Sequence, residues 1–313
     1  MLLVPSGAGS SATAVISSGA DLTVGDFAIA TTTSAVEGSL TITGAGSTLT
    51  QTLANVITLG AASGSKGTIN VLSAAVLTTG GSGLVVNATG TLNIQGGTVH
   101  ILGPITRNGT STFIFISGAL DIVDNFTVGT GGLLGTNVTF NSNQQFTTTA
   151  KTTINATRTL TLNNTNFSTG ALVINGTLAY TGTAASTLGA ATGTGTVTKT
   201  NTGTLTVTGA LGTGGIGVNA NGGTTRFTVS ETLESLSIGA GAVVTLDSAA
   251  PASLEEIAVG ELSQTLPLFD EPGIFAGESA RLAGDSPQAV PEPGTLGLLV
   301  LGATLLFTPR RRA

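Results

Sequence analysis

Through the first 250 residues the aliphatic positions alternate with Thr, Asn and Ser, and no stretch repeats them at helical spacing. The clearest form is a five-residue phrase: Gly, a small residue, an aliphatic, a variable residue and a second aliphatic. It reads Gly38-Ser39-Leu40-Thr41-Ile42, Gly67-Thr68-Ile69-Asn70-Val71 and Gly90-Thr91-Leu92-Asn93-Ile94. It returns as Gly118-Ala119-Leu120-Asp121-Ile122, Gly170-Ala171-Leu172-Val173-Ile174 and Gly203-Thr204-Leu205-Thr206-Val207. A period of two is the mark of a half-buried strand. Thr, Val and Ile suit a pleated surface because their branched side chains are stiff. A leading Gly gives the backbone the freedom a corner needs.

The phrases start 29, 23, 28, 52 and 33 residues apart, and Arg158-Thr159-Leu160-Thr161-Leu162 falls inside the longest interval. One short strand reused at such intervals predicts an all-β fold: a parallel, right-handed β-solenoid, each coil stacking on the last at about 4.8 Å. The aliphatic pairs, from Leu40/Ile42 to Leu205/Val207, would then form two continuous inner columns. Asn70 and Asn93 share a slot in the phrase and are expected to stack as an amide ladder. Three segments follow from this: a repeat domain at 1–248, a flexible acidic linker at 249–289, and a C-terminal segment at 290–313 holding a short hydrophobic helix.

Composition narrows the chemistry. Charged residues are 8% of the chain, Gly numbers 46, Cys is absent and His100 is the one histidine. Thiolate metal sites, disulfides and most imidazole chemistry are thereby excluded. Residues 1–230 hold five acids and six bases, residues 231–309 eleven acids and one base, and the last four residues three bases, which sums to −6. A near-neutral body without a basic stripe excludes a nucleic-acid partner.

The motifs are weak. Gly212-Thr213-Gly214-Gly215-Ile216-Gly217 fits G-x-G-x-x-G, but strand and turn residues follow where a dinucleotide fold needs a helix. Gly64-Ser65-Lys66-Gly67 lacks the rest of a phosphate loop. Asp121 and Asp124 are the close acids of the body, and Lys66, Arg107, Lys151 and Arg158 are the bases that neighbouring coils could bring to them. Alternation points the two acids to opposite faces, which reads as solvated edge residues. Repeated Thr-x-Thr raises ice binding, which needs equal coils, and these intervals are unequal. No catalytic, cofactor-binding or metal-ligating residue is expected, and no cofactor.

The C-terminus carries the most specific signal. Val290-Pro291-Glu292-Pro293 is followed by an apolar run at 294–308 and then by Arg310, Arg311 and Arg312. This order resembles the PEP-CTERM sorting signal of bacterial exosortase systems. The body is similar, more loosely, to the β-helical passenger repeats of autotransporter-like proteins. The resemblance implies export, membrane insertion through residues 294–308, and processing by an exosortase at the tripeptide. Such proteins begin with a signal peptide, yet Met1-Leu2-Leu3-Val4-Pro5-Ser6 has neither a basic nor a long apolar region. A truncated start is therefore expected.

The functional expectation is a non-enzymatic, exported structural or adhesin-like protein of the cell surface or extracellular matrix, with extracellular polysaccharide or surface glycans as candidate partners. The alternatives are a polysaccharide lyase or hydrolase on a β-helix, and an ice-binding solenoid.

Overall fold

The computed structural model describes residues 2–3, 9–30, 36–60, 64–212, 215–247, 253–254 and 257–259. Among them there is no helix, and every strand pairing is parallel. Strands that neighbour in a sheet lie one circuit apart in sequence. A five-stranded sheet stacks Leu2–Leu3, Ala28–Ile29, Ile57–Leu59, Leu84–Val86 and Ile105–Arg107. A seven-stranded sheet begins at Val138–Phe140 and runs through Thr177–Tyr180 to Ile257–Val259, and a four-stranded sheet runs from Ser186–Leu188 to Val243–Leu246. This all-parallel, revisiting order is compatible with a β-helix.

The eleven-stranded sheet shows how a corner is made. Gly90–Ile101 is a single strand of 12 residues that serves two rows. Its first half pairs with Lys66–Leu72 and its second half with Val76–Thr78. The register shifts between Gln95 and Gly96, where Gly96 takes φ +78°. That left-handed conformation turns the strand without ending it, and glycine adopts it without steric cost.

All twelve aliphatic residues of the six phrases are buried. They do not, however, form one pair of columns. Leu40, Ile69 and Leu92 lie in register, as do Ile42, Val71 and Ile94. Leu120 and Ile122 instead pair with Val99 and Ile101, one row further round the circuit. Leu172 and Ile174 pair with Thr152 and Ile154, and Leu205 and Val207 pair with Ser186 and Leu188. The phrase encodes a corner followed by a half-buried strand, which every row needs, so it does not say which row a strand joins.

This also explains the ragged intervals. Measured by pairing, Ala28 to Thr58 is 30 residues and Thr98 to Ala119 is 21. From Val138 onward the interval settles between 18 (Thr159 to Thr177) and 22 (Val138 to Leu160). The uneven circuits are confined to the first half. Pairing also extends beyond residue 248, through Ser253–Leu254 and Ile257–Val259. The interior is mainly aliphatic, and within it lies a ring cluster: Phe146 lies 4.4 Å from Phe126, 5.0 Å from Phe140 and 5.9 Å from Phe167.

Candidate functional site

The second row of the eleven-stranded sheet carries an outward column in strict register: Thr23, Thr50, Thr78, His100, Asp121, Thr147 and Ser168. His100 and Asp121 face each other because one circuit separates them. The imidazole Nδ1 lies 2.9 Å from Asp121 Oδ2, with the two side chains 39% and 36% exposed. Asp124 does not join them. It sits in the corner after the strand, where its Oδ1 accepts the Asn125 N–H at 2.7 Å. The pair stands between neutral hydroxyl neighbours, Thr78 on one side and Thr147 on the other.

Three of the bases named from sequence, Lys66, Arg107 and Arg158, have side-chain partners of their own. Lys66 Nζ meets Glu37 Oε1 at 2.7 Å, both exposed, and hydrogen bonding to that carboxylate, then its charge, raises the lysine pKa. Arg107 donates from Nε and Nη2 to the Ser111 carbonyl and from Nη1 to the Leu133 carbonyl, which ties two loops together. Arg158 reaches Thr130 Oγ1, and the Lys151 backbone N–H donates to Asn125 Oδ1. Among the described residues no ion pair joins any two of Lys66, Arg107, Asp121, Asp124, Lys151 and Arg158. No group of three or more potential metal ligands occurs among them either.

The amide ladder is present. Asn93 donates to Asn70 at 3.2 Å, and Asn70 donates to Thr41 at 3.3 Å. Thr159, Thr177 and Thr196 lie in register, but the adjoining outward column reads Thr161, Ala179 and Thr198. Gly217 and Asn219 follow, so the hydroxyl rows of an ice-binding face are interrupted even where circuits are even. The strand Gly217–Ala220 begins at the last glycine of the G-x-G-x-x-G run, where a pyrophosphate site would need a helix.

Two buried charges escaped the sequence reading. Lys199 faces inward on Thr196–Lys199, its Nζ satisfied by the Thr200 and Asn201 carbonyls, and burial lowers its pKa. The signal was available, since alternation puts Lys199 in the same inward slot as Val197. Glu231 is 3% exposed: Oε2 accepts the Leu211 N–H at 2.8 Å and Oε1 has no partner. Burial raises its pKa, and the Leu211 bond opposes that more weakly. On the surface, Arg226 makes a two-pronged contact with Asp247, just past the end of the next strand, at 3.0 and 2.9 Å.

One further feature has the shape of a binding site. Asn166–Ile174 pairs on one side with Gln144–Ile154, and Ser186–Leu188 pairs on its far side with Thr204–Val207. Between Asn166–Thr169 and Ser186–Leu188 no strand pairing is formed, although the circuit is closed elsewhere by Thr177–Tyr180 and by the Val173–Thr192 bridge. The gap is a cleft of about 350 Å³. Leu162, Phe167 and Tyr180 line its apolar side, and Gln145, Asn166, Ser168 and Thr187 its polar side. Burial keeps the Tyr180 hydroxyl protonated well beyond the usual phenol range.

The segments singled out at the C-terminus, Val290, Pro291, Glu292 and Pro293, residues 294–308, and Arg310 to Arg312, lie outside the described residues. Comparison with models of known families, with curated proteins and with solved structures finds no match for this chain.

Proposed function

We propose that the chain winds as a right-handed parallel β-solenoid and serves as an exported, non-enzymatic structural or adhesin-like protein of the cell surface or extracellular matrix. The observation that carries this reading is the repeated parallel pairing of strands one circuit apart, which recurs among the described residues between Leu2 and Val259. In it Lys66, Arg107 and Asp121 are bonded to a neighbouring circuit or loop and not gathered around a reacting centre. A long, neutral, hydroxyl-rich surface on a repeat scaffold suits display and contact.

In this proposal the C-terminus is a sorting tag. Val290, Pro291, Glu292 and Pro293 form the processing motif. The 15 residues at 294–308 would span about 22 Å as a helix, against about 30 Å of hydrocarbon. Arg310, Arg311 and Arg312 extend the anchor by reaching the headgroups and hold it on the cytoplasmic side. Each proline disfavours helix in the residue before it, a sequence preference that would suit an extended tripeptide for an exosortase to grip.

The test is to express the chain in an exosortase-positive host and in its deletion strain, then to map the mature C-terminus by mass spectrometry. Loss of Arg312 only where the exosortase is present is the expected result. Arg312 retained in both strains overturns the sorting assignment. The His100–Asp121 pair is the observation on which a rival reading, a polysaccharide lyase or hydrolase, would stand. Turnover of a polysaccharide that vanishes in Asp121→Ala would establish that rival.

A further inference from the structure

We infer that the cleft between Asn166–Thr169 and Ser186–Leu188 is a subsite for one or two rings of a neutral glycan. The cleft is a product of chain geometry. Three residues, 163–165, lead from Leu162 to the strand at Asn166, and four, 200–203, lead from Lys199 to the strand at Thr204. Between them five residues, 181–185, separate Tyr180 from Ser186, and the Ala184 N–H is anchored on Asn164 Oδ1 at 2.8 Å. The longer corner carries Ser186–Leu188 out of pairing range of Asn166–Thr169, while the rest of the circuit stays paired on both sides.

What the gap exposes is chemically specific. Phe167 ends the ring stack: it lies parallel to Phe146 at 12° and 5.9 Å, and it borders the cleft. Beside it is Tyr180, neutral at any ordinary pH because burial raises its pKa. Around this apolar side stand two amides, Gln145 and Asn166, and the hydroxyls of Thr147, Ser168, Ser186 and Thr187. Gln145 faces Asn166, and Thr147 faces Ser168, across adjacent strands in register, so the polar groups form two fixed rows.

A pyranose ring has the complementary distribution, with an apolar C–H face for the aromatic ring and a rim of hydroxyls for amides and alcohols. No Lys, Arg, Asp or Glu lines the cleft, so a uronate, a phosphate or an ammonium group would lose its hydration with no counter-charge. The volume lies at the lower end for small-ligand sites, which run from about 300 to 1,000 Å³. That admits one or two sugar units and leaves the rest of a polymer outside. This inference takes from the proposed function only the expectation that glycans are met outside the cell.

The experiment titrates the purified full-length chain, by calorimetry and ligand-observed NMR, with maltotriose, cellotriose and N-acetylchitotriose, using tri-galacturonate as the charged comparison. Saturable binding of at least one neutral trisaccharide is expected. Asn166→Ala should weaken it by about tenfold, or about 1.4 kcal/mol. Thr187→Arg, at the exposed lip, should abolish it with an unchanged circular-dichroism melting curve. Three outcomes overturn the subsite: no saturation by any neutral trisaccharide, binding indifferent to both substitutions, or binding of tri-galacturonate alone. Cell fractionation separates this from the parent reading. Surface display without glycan binding sinks the subsite alone, whereas glycan binding by a chain retained in the cytoplasm sinks the surface assignment alone.

Discussion

Gly83 and Gly81 are two residues apart and carry opposite burdens. Gly83 sits at φ +79°, and a methyl group there would overlap the Pro104 carbonyl one circuit away, whereas the Gly81 position opens onto empty space. Gly83→Ala should therefore cost about 2–4 kcal/mol, through backbone strain and overpacking together. Gly81→Ala should stay within about 0.5 kcal/mol of wild type. Urea unfolding followed by far-UV circular dichroism reads both, and equal effects would contradict the close approach at Gly83. Glu231 allows a test by pH. Its folded pKa is raised by burial, so between the ordinary carboxylate value and the raised one the native state binds more protons than the unfolded state. Stability then falls as pH rises through that window and is highest below it. Glu231→Gln keeps an acceptor for the Leu211 N–H and removes the titration. Its urea midpoint should fall less than that of wild type as pH is raised from 4.5 toward neutrality, and parallel curves would show that Glu231 is solvated.

Among elements, alternation made strand positions and burial legible, down to the Asn70–Asn93 ladder. It left rows illegible, because Leu92 and Leu120 have the same local environment although one pairs with Ile69 and Phe113 and the other with Val99 and Phe146. Period two reports which side of a sheet a residue faces and nothing about which sheet. The His100–Asp121 pair was hidden for a related reason. Their offset of 21 residues is one circuit only if the local circuit length is known, and that length changes along the chain. The cleft was hidden because it comes from one corner being longer than its neighbours, with no residue type that marks it. The rings offer a check on packing. Phe146 is fully buried and contacts Phe126, Phe140 and Phe167, each from a different strand. Phe146→Ala should destabilise by about 3–5 kcal/mol, since the void would be bordered by rings that cannot collapse into it. Phe146→Leu should recover more than half of that loss in the same urea titration. Equal loss in both would mean that ring geometry, not filled volume, holds this part of the interior.

At the scale of the whole molecule, pairing among the described residues runs between strands one circuit apart, so each described circuit is paired to its two neighbours. Stability in such a chain is close to a sum of local terms and nearest-neighbour interfaces, and damage should spread over a few circuits and stop. Leu92 is the place to break it. It is fully buried, in register with Ile69 on one side and Phe113 on the other. A carboxylate there would have no partner, at a cost of several kcal/mol, on the order of 2–7 for an unpaired polar group and more for a charge. Leu92→Asp should therefore open Lys66–Leu72, Gly90–Ile101 and Thr112–Ile122 together, because these three share the interface. The strands from Thr177–Tyr180 to Ser235–Ile238 pair with one another and with their immediate neighbours, several circuits from Leu92, and they should keep their structure. Hydrogen exchange read by mass spectrometry distinguishes the outcomes. Amides of residues 66–122 should lose protection in Leu92→Asp while those of 177–238 exchange as slowly as in wild type. Simultaneous loss in both regions would make the body one cooperative unit, and the nearest-neighbour account of this chain would have to be abandoned.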